Sequence, residues 1–256
     1  PRSRGLGDVY KRQGMGRSIV DLQSEGRLPR DYDGAALPLD AAVAVKEAVM
    51  PFTRFRTAQG RVVDSLLGPE MRSTGEVMGI DRYFDTAFAK SQAATGGPLP
   101  TSGRVFVSVA NRDKRSAVGH VKRLVDLGFE IVSTGGTADV LRRNGVQAET
   151  VAKIASSNDP DGAGTVLEQL HEGRVDLVLN TPSGGDARGD GYEIRAAATS
   201  LGVPVITTLA EFAACLQAIE ALREHAWSVT SLQEHDERLR GLVARDRTPA
   251  EAGAGA

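Results

Sequence analysis

Cysteine is nearly missing: Cys215 is the single one in 256 residues. One thiol excludes an intrachain disulfide and a multi-cysteine metal cage, which suits a reducing cytoplasm. Aromatic residues make up 5% of the chain, and the four histidines are scattered without the spacing of a metal site. Neither sign of charge is in excess. Thirty-one basic against 33 acidic side chains leave a net charge of -2, so no overall field favours nucleic acid or an anionic membrane, and an anion site has to be built locally. No apolar run approaches the roughly 18 residues of a membrane span, and the N-terminal residues lack the continuous apolar stretch of a signal peptide. These absences lead to the expectation of a cytoplasmic protein without nucleic-acid or membrane partners. What remains is ordinary for a globular chain: 41% apolar and 25% charged residues, enough for one large domain or a small domain with additions.

Along the chain, residues 1–34 mix Arg, Gly, Asp and Ser with no sustained period of 2 or 3.6, and read as a flexible or non-native lead. The stretch AAVAVKEAVMPFTRF (41–55) reads as a short strand with an irregular continuation after Pro51. DRYFDTAFAKSQ (81–92) places Tyr83 or Phe84, Ala87, Phe88 and Ser91 at helical spacing. A Gly/Pro/Ser/Thr-rich linker over 93–102 is the best domain boundary. Beyond it the texture becomes a regular alternation, with strands expected at 104–110, 129–133, 146–151, 175–180 and 203–207 and helical segments between them. Four of these strands follow a glycine, Gly128, Gly145, Gly173 or Gly202, where a helix can end in a left-handed residue. This pattern predicts an α/β fold, a Rossmann-like parallel sheet of about five strands covered on both faces, with ligands beyond the carboxyl ends of the strands. Residues 208–224 carry Leu209, Phe212, Leu216, Ile219 and Leu222 on one face, a long amphipathic helix in which Cys215 is core filler. A charge-rich helix near 232–244 and an Ala/Gly/Pro tail complete the chain.

The chemistry-bearing residues gather where strands end. Ser133 to Ala138 reads STGGTA, with a helix expected to begin near Ala138. Glycines let the backbone approach an anion, a helix N-terminus presents free N–H groups, and threonine hydroxyls add hydrogen bonds. Thr134, Gly135, Gly136 and Thr137 therefore form either a phosphate loop or a plain helix cap. Ser108 and Lys114 supply a hydroxyl and an ammonium at the neighbouring strand end. Lys153 follows the third strand, and Asn180, Thr181 and Ser183 follow the fourth, so polar groups recur on one rim. The run SGGDARGDG (183–191) is a flap over the site or an exposed loop. No catalytic constellation is found: His120 and His171 fall in expected helices, away from any paired nucleophile.

Two motifs carry a family resemblance. LGPEMRSTGEVMGID (67–81), preceded by VKEAVMPFTRF (45–55), resembles the end of the carbamoyl phosphate-forming ATP-grasp unit of carbamoyl phosphate synthetase large chains. Residues from 104 to about 234 resemble the methylglyoxal-synthase-like regulatory domain that follows it. The resemblance implies a division into a remnant of the ATP-grasp unit (35–92), the linker, an allosteric domain (103–234), and a charged helix with a tail (235–256). It implies a glutamine-hydrolysing ligase that makes carbamoyl phosphate for arginine and pyrimidine synthesis. Its partners would be a small glutaminase chain and the rest of the large chain. ATP and magnesium are needed in the whole family but not in this stretch, which by itself is not expected to be active. The regulatory domain of the family binds effectors such as UMP or IMP, and the resemblance carries that phosphate and ribose role to Ser108, Lys114, Thr134, Thr137, Lys153, Asn180 and Thr181. Gly135, Pro182 and Ile206 depart from residues found in some members, the last removing an aspartate that helps hold ornithine. Two other enzymes share this fold. A stand-alone lyase acting on dihydroxyacetone phosphate needs a carboxylate base, for which only Asp159 and Asp161 stand near. A nucleotide-forming cyclohydrolase leaves the 67–81 motif without a role.

Overall fold

In the computed structural model, residues 11–25, 41–49, 75–152, 164–182, 191–225, 228–235 and 237–238 are described. The chain divides into two units, residues 43–227 and residues 1–42 with 228–256. In the latter, α1 (Ile19–Ser24) opens on a capping box: the Ser18 hydroxyl accepts from the Asp21 amide, and the Asp21 carboxylate accepts from the Ser18 amide. Residues 11–25, part of the stretch read as a flexible or non-native lead, therefore contain a capped helix, and the rest of that stretch lies outside the described residues. The signal is a local cap, and one short turn of helix carries no periodicity to find.

The larger unit begins with an antiparallel pair, β1 (Val43–Val49) and β2 (Gly75–Asp81), with Lys46 opposite Met78. Helix α2 (Phe84–Thr95) lies against it. Ala87, Phe88 and Ser91 are buried as their spacing predicted, while Tyr83 and Phe84 remain exposed. The helix runs to Thr95, so the first residues assigned to the linker complete its last turn. The 67–74 part of the LGPEMRSTGEVMGID motif lies outside the described residues.

Then follow β3 (Arg104–Ser108), α3 (Lys114–Asp126), β4 (Glu130–Ser133), α4 (Gly135–Arg143), β5 (Glu149–Thr150), α5 (Val166–His171), β6 (Leu177–Asn180), α6 (Tyr192–Leu201), β7 (Val205–Ile206) and α7 (Leu209–Glu224). The five strands β3 to β7 form one parallel sheet in the order β5-β4-β3-β6-β7. The expected parallel α/β sheet is present. Gly128, Gly145, Gly173 and Gly202 all take positive φ, so the glycine punctuation ends helices as expected.

Alternation along the central strands builds two cores. Val105 and Val107 of β3 face one layer with Ala117, Val121 and Leu124 of α3, Leu141 of α4, and Phe212, Leu216 and Ile219 of α7. Phe106 points the other way, among Val166 and Leu170 of α5 and Ile194 and Ala198 of α6. Strands buried on both faces carry the near-continuous apolar runs of a covered parallel sheet. Cys215 is fully buried, and that burial pushes its thiol up to about 12, so it is packing material rather than a nucleophile.

Candidate functional site

The strand order reverses at β3. The chain steps outward from β3 through β4 to β5, then returns to place β6 on the other side of β3. In an open parallel sheet, this reversal leaves a crevice at the carboxyl ends of the two central strands. Ser108 ends β3, Asn180 ends β6, and the two are register partners across the reversal. Ser133 ends β4 beside Val107.

A connected set of hydrogen bonds ties these strand ends together. The Ser108 and Thr134 hydroxyls lie 3.2 Å apart. The Thr137 hydroxyl accepts from the Val109 amide at 3.4 Å, and the Thr181 hydroxyl accepts from the Ala110 amide at 2.8 Å. The Asn180 side-chain amide donates to the Ser108 carbonyl at 3.1 Å, and the Thr181 backbone amide donates to the same oxygen at 3.2 Å. Ser108, Thr134, Thr137, Asn180 and Thr181 are all buried. Thr137 and Thr181 accept with their oxygens, which leaves each hydroxyl proton to donate elsewhere.

The glycines sit within the first turn of α4, because that helix begins at Gly135 rather than near Ala138. Thr134 occupies the cap position, yet its side chain makes no capping bond and instead meets Ser108. The amides of Gly135 and Gly136 thus have no partner among the described residues, and both glycines are exposed. Free amides at the positive end of a helix are an anion-binding arrangement. Lys114, at the start of α3, brings its ammonium to this turn: a Cβ placed on Gly136 would lie 3.2 Å from Lys114 Nζ. The loop before α3 is anchored by Arg112, which donates to the Pro182 carbonyl at 2.8 Å.

The structure therefore gathers Ser108, Lys114, Thr134, Gly135, Gly136, Thr137, Asn180 and Thr181 on one rim. Lys153 and Ser183 lie outside the described residues, as do Asp159, Asp161 and most of the 183–191 run. Arg195, which sequence reasoning missed, joins the set through α6: its guanidinium donates to Asn180 Oδ1. An arginine in a helical stretch carries no sign of this, since the partner lies 15 residues earlier, at the end of the preceding strand. Chemically, the rim offers free amides, hydroxyls and two cations to an anion. Among the described residues no group of three or more His, Cys, Asp or Glu side chains could hold a metal ion. Nor is any helix among them long and apolar enough to cross a membrane.

Comparison with known proteins places this geometry in a family context. Residues 116–207 match the MGS-like domain. The chain is 79% identical over 93% of its length to the carbamoyl phosphate synthase large chain of Micrococcus luteus, of which it covers 22%. It is 66% identical over 90% of its length to the one from Arthrobacter sp., covering 21%, and 55% identical over 94% to the one from Streptomyces griseus, covering 22%. The chain spans about a fifth of the length of these relatives. It is thereby related to carbamoyl phosphate synthase large chains and carries an MGS-like domain of α/β fold.

Proposed function

We propose that this chain, a relative of carbamoyl phosphate synthase large chains, provides the site at which a nucleotide monophosphate regulates such an enzyme. The observation that carries this reading is the meeting of two independent anion-binding devices at one turn: the amides of Gly135 and Gly136, which have no partner among the described residues, and the Lys114 ammonium. A phosphate seated there receives backbone N–H bonds and a charge-assisted bond from Lys114. The hydroxyls of Ser108, Thr134, Thr137 and Thr181 provide further donors, and Asn180 is placed beside them for a ribose or base. UMP and IMP are the effectors of this reading, and Lys153 and Ser183 complete its list of contacts.

In the whole enzyme the regulated reaction is ATP-dependent formation of carbamoyl phosphate from glutamine and bicarbonate, in the cytoplasm, serving arginine and pyrimidine synthesis. The partners are the remainder of the large chain and a small glutaminase chain. Residues 35–92 supply the end of an ATP-grasp unit, and residues 103–234 the regulatory domain. Regulation requires the effector to prefer one of two states of the full-length protein, by a coupling of roughly 1–3 kcal/mol. ATP and magnesium act elsewhere in that protein, and this chain by itself does not form carbamoyl phosphate.

The test is calorimetric titration of the purified chain with UMP, IMP and dihydroxyacetone phosphate, with methylglyoxal formation followed in parallel. Binding of a nucleotide without turnover is the expected result. Turnover of dihydroxyacetone phosphate would replace this reading with that of a lyase.

A further inference from the structure

Arg195 is the unusual member of the rim. It is half-buried in the first turn of α6, where the partial positive charge of a helix N-terminus disfavours a cation. Among the described residues no carboxylate pairs with it, and its side chain meets the neutral amide oxygen of Asn180. The fit is close. Gly191, at φ +93, allows it, because a Cβ there would collide with Asn180 Oδ1 and lie 2.9 Å from Arg195 Nη1. Burial holds the guanidinium below the ordinary arginine value, the direction expected of a charge partly removed from water without compensation.

We propose that Arg195 is the second cation of this site: one guanidinium nitrogen fixes the Asn180 amide, and the others bind the anionic group of a phosphate-bearing ligand. This rests on the nucleotide-site reading above and adds a residue to it. Among the described residues no counter-charge stabilises the placement, and a bound phosphate removes that cost. A guanidinium also has the geometry to serve both partners, since its planar fork presents several N–H donors at once. By holding Asn180 Oδ1, it leaves Asn180 Nδ2 to donate to the Ser108 carbonyl, which fixes the orientation of the amide across the β3–β6 crevice.

The experiment is calorimetric titration of the full chain with UMP, comparing the unaltered protein with Arg195→Gln, Arg195→Lys and a charge control, Lys122→Gln, on the exposed face of α3. Thermal midpoints are measured alongside. Loss of a charge-assisted contact predicts affinity about 10- to 100-fold weaker in Arg195→Gln. Arg195→Lys keeps the charge but not the fork and is expected to lose about three- to tenfold, with Lys122→Gln unchanged. Affinity of Arg195→Gln within twofold of the unaltered protein overturns the proposal, whatever its thermal midpoint. Should Arg195→Gln fail to fold, affinity of Arg195→Lys within twofold overturns it equally. If the unaltered chain itself does not bind UMP, the nucleotide-site reading fails, a result separate from a failure of Arg195 alone.

Discussion

At the scale of single residues, the rim separates side chains that hold the fold from those left available to a ligand. Lys114 has its ammonium at an open helix turn. Lys114→Ala is therefore expected to weaken nucleotide binding by about 1.5–3 kcal/mol, the range for hydrogen bonds to charged groups, with the thermal midpoint hardly moved. Unchanged affinity in calorimetry would remove Lys114 from the site. The Thr134 side chain makes no capping bond, so Thr134→Val loses one hydroxyl contact with Ser108 and about 1 kcal/mol of stability at most, while phosphate affinity falls. A much larger loss in denaturant unfolding would make Thr134 structural. Glu211 gives a prediction in pH. Burial, foremost, and then the nearby Glu47 charge raise its pKa above 4.5, despite hydrogen bonds from the Thr207 and Thr208 backbone. A carboxyl with a raised folded-state value stabilises the fold at low pH, and that contribution is lost as pH rises through the folded value. Glu211→Gln should thus raise the thermal midpoint at pH 7, and the gain should fade as pH falls through the raised folded-state value and be gone below the ordinary 4.5. A gain independent of pH would show that ionisation is not its cause. The rim residues were legible because hydroxyls, amides and a lysine recur at strand ends. Arg195 and the Glu211–Glu47 proximity were not, because each depends on a partner brought near only by folding.

Among elements, the glycine before four of the five strands announced the α/β alternation more faithfully than the apolar runs announced strand ends. Residues 146–151 and 203–207 read as strands, yet ladder pairing covers only Glu149–Thr150 and Val205–Ile206. Val146 and Val151 are buried all the same; their apolar character reports core contact beyond the ladder, and a sequence does not distinguish the two. The contrast between Gly79 and Gly119 shows where glycine is required. A Cβ at Gly79 in β2 would run into the Ala87 carbonyl and come within 2.7 Å of the Ser91 amide. Both are backbone atoms of α2, so no rotamer change relieves the clash. Gly79→Ala is expected to destabilise by about 3 kcal/mol, as overpacked substitutions do. Gly119 lies inside α3, where an added Cβ would meet nothing within 4 Å and φ is not positive. Gly119→Ala should stabilise by about 0.5–1 kcal/mol through helix propensity and chain entropy. Urea unfolding of the two variants checks both, and shifts of the same sign would contradict the packing argument.

On the scale of the whole molecule, the sequence suggested a boundary at the Gly/Pro-rich stretch after α2, while the contacts run across it. Residues 43–227 form one unit. Phe88 and Ala89 of α2 share a core with Phe212, Leu216 and Ile219 of α7, and the two helices lie against each other. Composition marked residues 93–102 as a boundary, but could not show that α7 carries apolar residues on a second side for α2. Sequence spacing assigned only the side facing the sheet. The consequence is measurable by comparing a chain trimmed to 43–227 with one trimmed to 97–227. Removing β1, β2 and α2 bares part of the α7 face, and losing the cover of one large and several small apolar side chains should cost roughly 3–5 kcal/mol. The shorter chain is expected to unfold at lower denaturant than the longer one and to bind a hydrophobic dye. Equal midpoints would mean that the sheet with its five helices is self-sufficient, and that the α2–α7 contact joins two independent folding units rather than completing one core.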